Sequence, residues 1–137
     1  MLVSPLERAR ETCTLVGLDA QAVVDDDLRE WEYGDYEGLT TDEIRETHPG
    51  WTIFADGAPN GERAEDVGKR VDRVIARVDA VTGTVALVAH GHLLRVLAAR
   101  WIGLAPHDGA LLYLGTATLS VLGHQRETKV VQSWNCA

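Results

Sequence analysis

VALVAHGHLLRV, residues 85–96, decides how the rest of the chain is read. A β-branched, apolar run from Val85 to Ala89 reaches His90-Gly91-His92, and the apolar positions then switch to helical spacing at Leu93, Leu94, Leu97 and Ala98. The pattern predicts a buried strand feeding a helix through a polar corner. In open α/β sheets ligands bind beyond the carboxyl ends of the strands, and a helix N-terminus offers free N–H groups and the positive end of a dipole. The corner therefore reads as an anion site containing an imidazole.

Outward from that corner the chain alternates helices and strands. Before it, Ala64, Val67, Val71, Val74, Ile75, Val78 and Val81 form a stripe of helical period, with Glu65, Lys69, Arg73 and Arg77 off it and Gly83 as the stop. At the start, Met1–Val3 is a scrap of strand. Ser4 reads as an N-cap and Pro5 as a first helical residue for a helix over Leu6–Val16 that ends at Gly17. Ala22–Val24 reads as a short strand, Leu28–Leu39 as a shaped loop, and Asp42–Thr47 as a helix capped by Thr40 or Thr41; Pro49–Gly61 reads as another loop. After the corner the helix stops at Gly103, and Leu111–Leu114, Ala117–Leu122 and Lys129–Trp134 read as strands, the last two as a hairpin. The order predicts an α/β fold: a single domain over residues 1–137, built as a three-layer α/β/α sandwich with a mostly parallel sheet and an antiparallel tail.

Composition narrows the function. The 137 residues carry a net charge of -8, so the basic excess needed to follow a nucleic-acid backbone or an anionic membrane surface is lacking. A few arginines still suffice for one small phosphate. Two cysteines, Cys13 and Cys136, give neither a disulfide framework nor a zinc spacing, and no leader or membrane span is legible; a cytoplasmic protein is expected.

Three groups of residues can carry chemistry. His90 can be a satisfied polar group at a sheet edge or a ligand-facing imidazole, and Gly91 beside it permits close backbone approach. His92 raises the thought of a metal, but two imidazoles at i and i+2 without further ligands at matched spacing make a poor set, so no metal and no cofactor are expected. Arg8 falls in the first turn of a helix, where the dipole disfavours a cation unless an anion lies nearby. Glu30, Glu32 and Glu37 stand among Trp31, Tyr33 and Tyr36. Aromatic surroundings raise a carboxyl pKa, as a general acid requires. A surface loop with solvated acids is the equal alternative.

Taken together, Ser4-Pro-Leu-x-Arg8-Ala9, Leu28-x-Glu30-x-x-x-Gly34-x-x-Glu37-Gly38, Gly61-Glu62 and Val88-Ala-His90-Gly91 with Arg95 beyond resemble the histidine phosphatase superfamily, in its phosphoglycerate mutase-like branch. The wording around Trp31–Thr41 and the His-Gly-His looks closest to acid phosphatases of that family. The resemblance implies phosphomonoester hydrolysis through a phosphohistidine. Arg8, His90 and Gly91 would hold the phosphoryl group, and Glu30 would protonate the leaving oxygen, making Glu30 and His90 the catalytic pair. Ser4, Trp31, Tyr33, Glu62 and His92 would line the substrate pocket, with Trp51 and Phe54 shaping its mouth. The implied partner is a small phosphorylated substrate or inorganic phosphate.

One departure stands out. The family opens with a strand ending in Arg-His-Gly, which supplies the attacking histidine, and these residues contain no Arg-His pair. His48 precedes a proline in a loop and His107 and His124 fall in turns, so none stands in for it, and Arg63 stands where the family commonly has serine after Gly-Glu. The expectation is a chain lacking the family's first strand and helix, weakly active or inactive as it stands. Phosphoglycerate mutase-type phosphoryl transfer is the nearer alternative, set back by the short segment from Gly50 to Arg63. The other is a non-catalytic phospholigand-binding domain whose open sheet edge favours a homodimer.

Overall fold

The computed structural model describes all 137 residues. Strands β1 (Leu2–Val3), β2 (Val23–Val24) and β3 (Leu87–Val88) form a parallel sheet in the order β2-β1-β3. Helix α1 (Glu7–Leu15) links the first two strands. Helices α2 (Thr41–Thr47), α3 (Ile53–Asp56) and α4 (Ala64–Asp79) lie between β2 and β3, and α5 (Gly91–Trp101) follows β3. Strands β4 (Leu119–Gln125) and β5 (Thr128–Cys136) pair antiparallel as a separate two-stranded sheet.

Strand alternation produces the layers, because successive side chains point to opposite faces. Leu2, Leu87 and Ala89 pack on a core that includes Val67, Val71 and Val74 of α4 and Leu93, Val96 and Leu97 of α5. Val3 and Val88 turn the other way, toward Ala9 and Cys13 of α1. The helices thus cover both faces of the parallel sheet, as the sequence pattern predicts.

Several local expectations change. Ser4 does not cap α1 as its N-cap residue; Leu6 holds that position, and the Ser4 hydroxyl accepts from the Leu6 amide at 3.2 Å. The loop expected over Pro49–Gly61 contains α3, which Thr52 caps through the Ala55 amide and which buries Ile53 and Phe54. No strand forms over Leu111–Leu114: residues Pro106–Leu111 make a 3₁₀ turn, with Leu111 and Tyr113 exposed. Side chains anchor this segment and the residues just before it instead. Arg95 donates to the carbonyls of Gly109 and Ala110, and the Trp134 indole donates to that of Tyr113. No helix is long and apolar enough to cross a membrane.

Candidate active site

The carboxyl ends of β1 and β3 lie side by side, and each strand delivers a polar residue there. Ser4 follows β1 and His90 follows β3; both are buried, and the Ser4 Oγ lies 2.6 Å from His90 Nε2. Burial is the main force holding the His90 imidazole below its usual pKa; the Arg8 and Arg70 charges lower it further, while Glu30 opposes them. His90 is therefore neutral at neutral pH. Gly91 opens α5, and a Cβ placed on it would meet no protein atom within 4 Å. No neighbour in the fold demands a glycine at that point, so what the missing side chain leaves is open space over the helix N-terminus.

Arg8 stands exposed in the first turn of α1, and no carboxylate pairs with it. Its charge acts on both His90 and Tyr33, which places the guanidinium at the same corner. Glu30 reaches that corner from the loop after β2. Its carboxylate accepts from the amides of Trp31 at 2.9 Å, His92 at 3.2 Å and Leu93 at 3.0 Å. Thus a carboxylate already meets the α5 N-terminus, and backbone donors rather than aromatic rings surround Glu30.

His92 lies among aromatic rings: Trp31, Tyr33 and Phe54 all meet it edge-on, with centroids 5.4–6.4 Å away. Burial first, and the Arg95 charge after it, lower its pKa against the pull of Glu30. The Tyr33 hydroxyl lies 2.6 Å from His92 Nδ1. Burial, helped by Glu30 and Glu37, drives the Tyr33 phenol well above its ordinary value, so it remains protonated and donates to Nδ1. Tyr33 and His92 together line one end of a cleft of about 610 Å³ that runs between α2, α3 and α5.

Two residues expected at the pocket are elsewhere. Trp31 is only 2% exposed; its ring packs on Phe54 in the core, and its Nε1 donates to the Glu62 carbonyl. Glu62 is turned inward, where both carboxylate oxygens bind Arg70 at 2.8 Å and one also accepts the Glu32 amide. Ser4, Arg8, Glu30, His90 and Gly91 gather at the strand ends, with Tyr33 and His92 beside them. His48, His107 and His124 are exposed and elsewhere. Three or more His, Cys, Asp or Glu side chains nowhere converge to hold a metal ion.

Sequence reasoning missed Arg70. Buried in α4, it donates to the carbonyls of Asp27, Arg29 and Glu30 while gripping Glu62, so one guanidinium fixes the loop that carries Glu30. The signal was present: Arg70 lies three residues after Val67 and four before Val74, inside the apolar stripe where a charge needs a reason.

A family model described as histidine phosphatase superfamily (branch 1) matches residues 1–137. The chain belongs to the histidine phosphatase superfamily. Among relatives in it, an acid phosphatase of Mycobacterium tuberculosis is 35% identical over 127 residues, which cover 91% of this chain and 62% of that protein. The chain thus spans less than two thirds of that relative's length. The structure of an open reading frame product from Mycobacterium tuberculosis superposes with a TM-score of 0.93 at 33% identity, covering 98% of this chain and 70% of the other. A mycobacterial glucosyl-3-phosphoglycerate phosphatase, solved with inorganic phosphate, superposes with a TM-score of 0.83 at 31% identity, covering 100% of this chain and 76% of that one.

Proposed function

We propose that these residues form the phosphate-holding and proton-donating part of a phosphomonoester hydrolase acting on small substrates. The observation that carries the reading is the convergence of Arg8, Ser4, His90 and the open face of Gly91 at two adjacent strand ends, with Glu30 alongside. The Arg8 guanidinium and the His90 imidazole are suited to holding phosphoryl oxygens as charge gathers on them in the transition state. Glu30, held beside them by three amides, is the group we assign to protonate the leaving oxygen. A phosphohistidine route needs an attacking imidazole as well. We assign that role to neither His90, which serves the cradle beside Ser4, nor His92, which lies against Tyr33.

The test is phosphate binding and aryl phosphate hydrolysis by residues 1–137. Inorganic phosphate should bind, and Arg8→Gln or His90→Ala should weaken it at least about tenfold, while steady turnover stays low. Turnover accompanied by a covalent phosphohistidine within these residues would overturn the account of the nucleophile. Phosphate binding indifferent to both changes would overturn the cradle.

The outer edge of β3 favours a second reading, a phospholigand-binding domain that pairs with a second copy. Leu87 and Ala89 make no backbone bond outside the ladder to β1, whose parallel geometry turns their N–H and C=O groups away from it. Light scattering at high concentration decides: a dimer supports edge pairing, and a persistent monomer removes it.

A further inference from the structure

The Ser4 hydroxyl is the one hydrogen-bond partner of the His90 side chain, and the surroundings of Ser4 decide which way that bond runs. A hydroxyl has one proton to give and two lone pairs to offer. Ser4 is 0% exposed, so water cannot take the proton. The Leu6 amide, 3.2 Å away, is itself a donor and occupies a lone pair. The acceptor left for the proton is His90 Nε2 at 2.6 Å. The opposite sense, with Nε2–H donating to Ser4, would leave a buried O–H without a partner, which the fold avoids everywhere else. The ladder between β1 and β3 holds the two residues in this relation, since the Ser4 amide donates to the Val88 carbonyl at 2.9 Å.

A neutral imidazole whose Nε2 accepts carries its proton on Nδ1. No protein group bonds His90 Nδ1, and no buried side-chain nitrogen or oxygen lacks a partner, so Nδ1 is reached from outside the fold. We infer that Ser4 is a positioning residue: its hydroxyl holds His90 as the Nδ1–H tautomer, so that the ring meets a phosphoryl oxygen with a proton rather than with a lone pair. The inference rests on the reading of Arg8 and His90 as the phosphoryl cradle. Burial opposes a second proton on this imidazole, so the choice of tautomer decides whether the ring attracts an anion or repels it. His92 provides an internal contrast. Its Nδ1 accepts from the Tyr33 phenol, which puts its proton on Nε2.

NMR of the imidazole nitrogens near pH 7.5, above the ordinary imidazole range, tests it. In the wild type His90 should show a protonated Nδ1 and a bare Nε2, and His92 the reverse; inorganic phosphate should slow exchange of the His90 Nδ1 proton. Ser4→Ala should move the His90 proton toward Nε2, leave the His92 pattern as it is, and weaken inorganic phosphate binding about tenfold, the worth of one hydrogen bond to a charged group. Ser4→Thr keeps the hydroxyl and should restore both readings. A lowered urea midpoint in Ser4→Ala, with tautomer and phosphate affinity unmoved, would make Ser4 structural only and overturn the inference. Should the added methyl of Ser4→Thr unfold the chain, the wild-type spectrum still decides. A proton on His90 Nε2 in a wild type that binds phosphate overturns the role of Ser4 and leaves the cradle standing. If the wild type does not bind inorganic phosphate, the cradle fails, and the role given to Ser4 fails with it even where Nδ1 carries the proton.

Discussion

Helix α4 and the face around the α5 N-terminus both carry several guanidiniums, and the two regions use them in opposite ways. Along α4, Arg70 is paired with Glu62, Arg73 with Asp27, and Arg77 with Asp25 and Asp27. Around α5, Arg8, Arg45 and Arg95 have no carboxylate partner. The first region spends its charge internally: it ties the loop from Asp25 to Glu30 onto a helix, and one carboxylate of that loop reaches the strand ends. The second leaves charge unspent beside open space. Lack of a carboxylate partner alone does not mark the second region, since Arg10, Arg29, Arg63 and Arg126 share it; what marks it is unpaired guanidiniums beside the strand ends and the cleft.

The comparison breaks most visibly at Arg70. Arg70→Met leaves the Glu62 carboxylate without its partner and frees three carbonyls, and removing one member of a buried pair costs about 3–5 kcal/mol. Urea unfolding should show that loss, and Glu62→Met added to Arg70→Met should recover much of it. A loss under about 1 kcal/mol, the usual worth of an exposed pair, would remove Arg70 from the frame. Arg8→Gln should do the reverse: stability within about 0.5 kcal/mol of the parent, but phosphate affinity down by about tenfold or more. A stability loss at Arg8 with unchanged phosphate binding would merge the two regions into one.

A smaller effect separates the cleft from the strand ends. Tyr33→Phe removes the donor to His92 Nδ1 and leaves a half-buried acceptor without a partner, at a cost of about 1 kcal/mol. Urea midpoints unchanged by this substitution would mean that water replaces the phenol without loss.

Much of the frame was legible before any coordinates. Val85–Ala89 followed by His-Gly-His marked the strand and the site corner, the Val67-Val71-Val74 stripe marked α4, and of the two cap candidates for α2 it is Thr40 that caps, in a capping box with Glu43. What was not legible depended on pairing across long separations. Arg70 meets Glu30 across 40 residues, and the Trp31 indole meets Glu62 across 31, so no local pattern marks Trp31 as core or Glu62 as a clamp. The Leu111–Leu114 run has a strand's composition, but no strand of either sheet lies beside it and the 3₁₀ turn over Pro106–Leu111 takes its first residue. Gly34 shows the same limit. Its φ of +51° and the Pro59 carbonyl packed against it require a glycine, and only the fold reveals which loop presses on it.

The smallest and most gradual effect is that of pH on stability. His90 and His92 both titrate below their ordinary value in the folded protein, in each case chiefly through burial. The unfolded chain protonates these imidazoles near pH 6.5. Between that point and the lower folded values, the unfolded state holds more protons than the native one, so stability falls as pH falls through the window and is fully present above it. Asp27 acts in the same direction but further down. Arg73 and Arg77 hold it below the usual carboxylate range, so its contribution is present above about pH 4 and is lost only in stronger acid. The net charge of -8 works the other way, since mild acid relieves general repulsion. Wild type alone cannot separate these contributions, and His92→Gln can. Its urea midpoint should lie below wild type at pH 7.5, because the Tyr33 bond is weakened, and the gap should narrow toward pH 5, where wild type must force a proton onto a buried imidazole or exclude it. A gap that stays constant from pH 7.5 to 5 would show that His92 titrates alike in both states, and the aromatic surroundings of that ring would then be wetter than the fold implies.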